Sequence, residues 1–195
     1  MTVRLPVNKA VPLRDTASTF GRVSRAIHGL TALLLLGSYL LAWTWTVPGR
    51  GPLQNAMVDW HRTSGLVILL LTLLRLMWRA GSVRKQPLQL PAWNRWLAHS
   101  VQFLSYVLLV FIPVLGWAYT NAGGYGVSLF SIPLPSLVPR DKYLSGITVT
   151  VHEYLAFALL ALVALHVAGA LRHWLSFKNT APNSRGAALR MFSKP

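Results

Sequence analysis

Six histidines and no cysteine set the chemistry open to this chain. Imidazole is the commonest metal ligand. Without a thiolate there is no disulfide framework, no iron–sulfur cluster, no thiolate metal site and no thioether-linked haem. Any metal is held by other side chains. Four of the histidines, His28, His61, His152 and His166, fall within or at the edges of long apolar stretches, where ionisable groups are costly and usually functional. His152 and His166 are 14 residues apart. On a helix that is ~21 Å and close to four turns, which brings the two rings to within ~40° of one face.

The elements that position these rings are membrane spans. The chain has 195 residues, 53% hydrophobic and 12% charged, against about 25% charged in ordinary soluble chains. Four stretches, approximately Ser24–Thr46, Val58–Arg79, Asn94–Thr120 and Ile147–Trp174, are long and apolar enough to cross a bilayer as helices. Pro48 to Pro52, Pro87 with Pro91, and a Gly- and Pro-rich segment over 121–146 separate them, and Pro113 should kink the third. The first stretch runs on to an aromatic edge at Trp43 and Trp45 with no small-residue cleavage pattern, which reads as a retained span. The expected fold is all-α, an integral membrane four-helix bundle. A segment over 1–21 precedes the four-span domain at 22–178, and a basic tail over 179–195 follows it.

Charge orients the bundle. There are 19 Lys and Arg against 4 Asp and Glu, a net charge of +15. A soluble nucleic-acid binder has no reason to carry four bilayer-length apolar runs. Fifteen of the positive residues lie in the N-terminal flank, the second connection and the C-terminal flank; Arg50, Arg62, Arg140 and Lys142 are the other four. Positive residues are retained on the cytoplasmic side, so both termini are expected there. The charge then encodes topology and contact with anionic lipid, and needs no nucleic-acid partner.

That topology sets the depth of each ring. His28 opens an outward span and lies at the inner level. His61 opens an inward span at the outer level, and the fourth span carries His152 at the outer level and His166 at the inner. The levels pair His61 with His152 and His28 with His166. Two imidazoles facing across a helix bundle within apolar walls are what a bis-imidazole b-type haem requires, and two pairs imply two non-covalent haems b. A closed zinc site normally takes four nearby ligands, and each level offers two. Gly29, Gly65 and Gly169 lie close to ligand positions, where small residues let a flat macrocycle approach the backbone. Arg75, 14 residues after His61, projects at the inner level, either toward a propionate of the inner haem or snorkelling to head groups. His99 and His173 have no depth-matched partner. His173 shares the stripe of His166, seven residues on, and with Lys178 it can offer a hydrogen-bond donor to a quinone head group. Plain interfacial placement is the alternative for both.

These residues together resemble the bacterial cytochrome b561 family, and most closely the branch containing superoxide oxidase. The resemblance spans about Arg22 to Lys178. It rests on Ser24-Arg25-Ala26-Ile27-His28, Trp60-His61, Arg75-Leu76-Met77-Trp78-Arg79, Leu97-Ala98-His99, Pro113-Val114-Leu115-Gly116, His152-Glu153 and Leu165-His166, followed by His173 and Lys178. It implies that His28, His61, His152 and His166 are axial ligands. It further implies that an electron from superoxide at the periplasmic face passes through the haems to ubiquinone, with His173 near the quinone end.

Two functional classes follow. One is an oxidoreductase acting alone, a superoxide:ubiquinone oxidoreductase or a similar small-donor quinone reductase, in which transfer is outer-sphere and no side chain is a catalytic residue. The other is a cytochrome b membrane anchor passing electrons between quinone and a periplasmic dehydrogenase or hydrogenase, its docking surface in Gly123–Arg140. That same segment can instead cap the outer haem. A haem-free scaffold would leave the paired intramembrane histidines without a purpose.

Overall fold

The computed structural model describes residues 11–44, 51–83 and 91–178. Four helices, α1 (Arg22–Trp43), α2 (Pro52–Ala80), α3 (Ala92–Ala122) and α4 (Lys142–Lys178), carry the structure, with two short strands, β1 (Ser128–Leu129) and β2 (Ile132–Pro133), between α3 and α4. All four helices are long and apolar enough to cross a membrane. Their outward faces keep large apolar side chains exposed, among them Leu33, Leu40, Phe103 and Phe157. Such a surface is untenable in water and matches a lipid solvent. The fold is the expected all-α membrane four-helix bundle.

α2, α3 and α4 extend past the apolar stretches, and the starts of α2 and α4 have local reasons. α2 begins at Pro52, six residues before Val58, because proline's fixed φ and missing N–H suit a first helical position. α4 begins at Lys142, five residues before Ile147. There the Asp141 carboxylate accepts from the backbone N–H of Tyr143 at 2.8 Å and of Leu144 at 3.0 Å, an N-cap that satisfies two orphan donors. α1 ends at Trp43, earlier than Thr46. Pro113 sits inside an unbroken α3. The breaks read at Pro48 to Arg50 and at Pro87, and the 179–195 tail, lie outside the described residues.

Backbone packing runs α1 on α2, α2 on α3 and α3 on α4, and α4 makes no comparable contact with α1 or α2. The helix carrying two histidines therefore stands off from the two helices carrying their partners. Between the histidine levels α2 and α4 each bury an apolar side chain. Ile68, seven residues from both His61 and Arg75, is 3% exposed, and Leu159, seven from both His152 and His166, is 2% exposed. A polar strut crosses the stand-off: the Tyr39 hydroxyl of α1 donates to the Ala156 carbonyl of α4 at 2.6 Å.

Both ends are laced. At one end the Trp78 indole N–H donates to the Ser24 hydroxyl at 3.1 Å, and the 11–21 segment folds against the start of α1, with the Asp15 carboxylate accepting from the Gly21 N–H at 2.7 Å. At the other, the Asn121 side chain bonds the Tyr125 carbonyl and the Leu137 N–H, and the Ala122 carbonyl accepts from the Asp141 N–H at 3.0 Å. This frame holds the antiparallel β1–β2 hairpin. Its two turn residues, Phe130 at φ 48° and Ser131 at φ 70°, are both left-handed, a twist that suits a two-residue hairpin but is strained for side chains other than glycine.

Candidate functional site

The four histidines meet as two pairs. The ring centroids of His28 (α1) and His166 (α4) are 6.2 Å apart with planes at 81°. Those of His61 (α2) and His152 (α4) are 6.2 Å apart with planes at 71°. A metal–imidazole bond is about 2 Å and a ring nitrogen lies roughly 1.1 Å from its centroid, so one metal between two opposed imidazoles needs a centroid separation of about 6 Å. Both pairs meet that spacing. Among the described residues no cluster of three or more His, Cys, Asp or Glu is placed to hold a metal ion, so each level offers two protein donors. A planar macrocycle supplying four further donors fits such a site.

The surroundings leave room for it. A Cβ built at Gly29, Gly65 or Gly169 would meet nothing within 4 Å, so open space adjoins three of the four histidine positions. His166 stays exposed although it faces His28, which marks the inner level as wide. Together with the stand-off of α4, these features fit a flat group at each level.

In the His61–His152 pair both rings are oriented by backbone carbonyls. The His61 Nδ1 lies 3.0 Å from the Ser38 carbonyl and 3.1 Å from the Ser38 hydroxyl. The His152 Nδ1 lies 2.9 Å from the Ile112 carbonyl. A carbonyl only accepts, so each Nδ1 carries the proton and each Nε2 keeps its lone pair for a metal. Gly116 admits the His152 ring: a Cβ there would stand 3.1 Å from Cε1 and 3.3 Å from Nδ1. Ser38, Ile112 and Gly116 are site residues that the sequence reading did not assign. Gly116 carried the only signal, as part of Pro113-Val114-Leu115-Gly116; carbonyl acceptors have no side-chain signature.

Beside the His28–His166 pair Arg75 turns into the bundle instead of snorkelling. Its Nη1 lies 2.7 Å from the His28 Nδ1, and its guanidinium carbon sits 5.6 Å from the centre of the Tyr106 ring, within cation–π range. His99 is exposed near the start of α3. His173 and Lys178 fall on the last turns of α4, and their side chains lie outside the described residues.

Beside the His61–His152 pair, the 123–141 segment folds over the start of α2. Arg62, next to His61, places its guanidinium 5.9 Å from the centre of the Tyr125 ring and pairs with Asp59 at 3.3 Å. A cavity of about 160 Å³ opens between Asp59, Arg62 and Thr63 of α2 and Gly126, Val127 and Ser128 of the loop.

A membrane bundle whose facing imidazoles are spaced for a coordinated metal, with open space beside them, belongs to the class of b-type membrane cytochromes. The sequence comparisons name the family. A profile described as prokaryotic cytochrome b561 matches residues 19–183. The chain is also 24% identical over 164 residues to cytochrome b561 homolog 2 of Escherichia coli (strain K12), covering 82% of this chain and 86% of that protein. The chain belongs to the prokaryotic cytochrome b561 family. It is accordingly a multi-pass bacterial membrane haemoprotein of electron transfer, and the haem of this family is haem b.

Proposed function

We propose that the chain holds two haems b, one between His28 and His166 and one between His61 and His152, and that it carries electrons from a donor at the periplasmic face to ubiquinone at the cytoplasmic side. The observation that carries this reading is the repetition of one geometry: two imidazole pairs at the same 6.2 Å spacing, 14 residues apart on α4.

Bound haem supplies a one-electron carrier at each level. The protein's own part is to hold and orient. The Ser38 and Ile112 carbonyls fix the outer rings with Nε2 available. The apolar walls exclude water and so tune potential. If His28 coordinated through Nε2 its proton would sit on Nδ1, which cannot accept from the Arg75 guanidinium that now lies 2.7 Å from it; Arg75 would then turn to an anionic acceptor, which a haem propionate would supply. His173 and Lys178 are proposed as donors to the quinone head group.

Superoxide is the proposed donor. The cavity beside Arg62 lies one residue from His61 and is sized for a small anion or water, and outer-sphere transfer needs no catalytic side chain. The sequence charge of that face is near balance, with Arg50, Arg62, Arg140 and Lys142 against Asp59, Asp141 and Glu153, so any steering of an anion is local to the Arg62 cavity rather than a broad field. The second reading, an anchor for a periplasmic dehydrogenase or hydrogenase, draws on the exposed apolar residues of the outer loop, Tyr125 at 65% and Phe130 at 70%.

One experiment separates the two. Purified protein reduced rapidly by superoxide and reoxidised by ubiquinone supports the oxidoreductase. Reduction only after a partner dehydrogenase is added supports the anchor. Pyridine haemochrome analysis must return two haems per chain, and a value near one overturns the two-site reading.

A further inference from the structure

α3 carries none of the four paired histidines, yet it presents a buried hydrogen-bond donor at each level. The Tyr106 hydroxyl and the Trp117 indole nitrogen are both shielded from solvent, and neither donor has an acceptor among the described residues, the Tyr106 oxygen itself being open only to the Arg75 guanidinium. They are 11 residues apart, about three turns, so they project from nearly one face of α3 with ~16 Å between them. Trp117 follows Gly116, which lies against the His152 ring. Tyr106 lies beneath Arg75, which reaches His28. One donor therefore belongs to each imidazole pair.

Buried donors are almost always satisfied, and a half-buried cation needs an anion. Arg75 has no acceptor atom, so it cannot take the Tyr106 hydroxyl proton. Among the described residues no carboxylate lies within ion-pair distance of Arg75; Asp15 acts on it only from beyond that distance and is hydrogen-bonded to the Gly21 N–H. Indole N–H, phenol O–H and guanidinium share one complement, an anionic oxygen.

We propose that α3 is the carboxylate-binding helix of the bundle: Tyr106, together with Arg75, hydrogen-bonds a propionate of the inner haem, and Trp117 hydrogen-bonds a propionate of the outer haem. This rests on the two-haem reading and adds to it a role for the helix that supplies no axial ligand.

The test is haem release from detergent-solubilised holoprotein to excess apomyoglobin, with redox-difference infrared spectra of protein loaded with haem labelled with carbon-13 at the propionate carboxyls. Tyr106→Phe removes only the hydroxyl and is expected to speed loss of one haem about tenfold or more while the other keeps its wild-type rate, since hydrogen bonds to charged groups are the stronger ones. Trp117→Phe is expected to do the same to the other haem. Each variant should shift labelled carboxylate bands. If Trp117→Phe does not accumulate, the wild-type protein decides the outer level: hydrogen–deuterium exchange must shift a labelled carboxylate band that survives in Tyr106→Phe. Wild-type release and unmoved bands in these proteins overturn the proposal while two haems per chain remain. Equal acceleration of both haems by one variant overturns it as well. Fewer than two haems in the wild type overturns both readings together.

Discussion

Gly116 of α3 faces the imidazole of His152 of α4 so closely that a Cβ at position 116 would stand 3.1 Å from Cε1, tighter than ordinary contact. The ring is also held by the Ile112 carbonyl at 2.9 Å, so it has little freedom to yield. Gly116→Ala should push the ring by a few tenths of an ångström and weaken the outer site by about 1–3 kcal/mol, the usual range for overpacking. Gly116→Val should leave about half the wild-type haem content. Haem-to-protein ratios measure both, and a Gly116→Val protein with full haem would refute the contact as a determinant of the site.

Single replacement of the paired histidines should remove haems by level. His166→Ala is expected to abolish the inner haem and leave the outer one reducible but cut off from quinone. His61→Ala should abolish the outer haem alone. Reduced-minus-oxidised spectra with stepwise potentiometry check this; joint loss of both signals in a folded variant argues against separate sites.

The imidazole planes cross at 81° in the inner pair and 71° in the outer. Ring π-donation from crossed planes falls on both iron dπ orbitals almost equally and leaves them close in energy. The oxidised protein should therefore show strongly anisotropic low-spin ferric signals in electron paramagnetic resonance, most so for the inner haem. Well-resolved rhombic spectra from both haems would indicate parallel rings instead.

Tyr39→Phe deletes the 2.6 Å bond from α1 to the Ala156 carbonyl of α4. The expected cost is about 1 kcal/mol of stability, the net worth of a typical hydrogen bond. Thermal unfolding in detergent reports it as a lowered midpoint, with haem content unchanged because Tyr39 belongs to neither pair.

The orientation read from charge is testable by fusion. A fluorescent protein at the C-terminus should fluoresce, and alkaline phosphatase inserted in the 123–141 loop should be active. The reverse pattern would invert the proposed direction of electron flow.

The pairing of the histidines was legible in the sequence because helical rise is fixed and because spans that alternate in direction give every position a relative depth. Arg75 was legible as a face and a depth, but not as a neighbour of His28 and Tyr106, since snorkelling and inward placement share one spacing. Helix starts were misplaced where hydropathy was followed instead of chemistry: Pro52 and Asp141 begin α2 and α4 through a fixed φ and a capping carboxylate, and both residues are polar or helix-breaking on an apolarity scale. The acceptors for His61 and His152 were out of reach altogether, because a main-chain carbonyl is the same at every residue and only packing decides which one meets an imidazole.

In the two-haem reading the buried side chains Ile68 and Leu159 between the histidine pairs have an electrical meaning. An electron passing them would shift one elementary charge through ~21 Å of a ~30 Å insulating slab. Turnover should then respond to voltage, on the order of 1.6 kcal/mol per 100 mV, and inward flow would work against the interior-negative potential of an energised cell. Replacing either side chain with a small polar one would wet the slab and blunt that response.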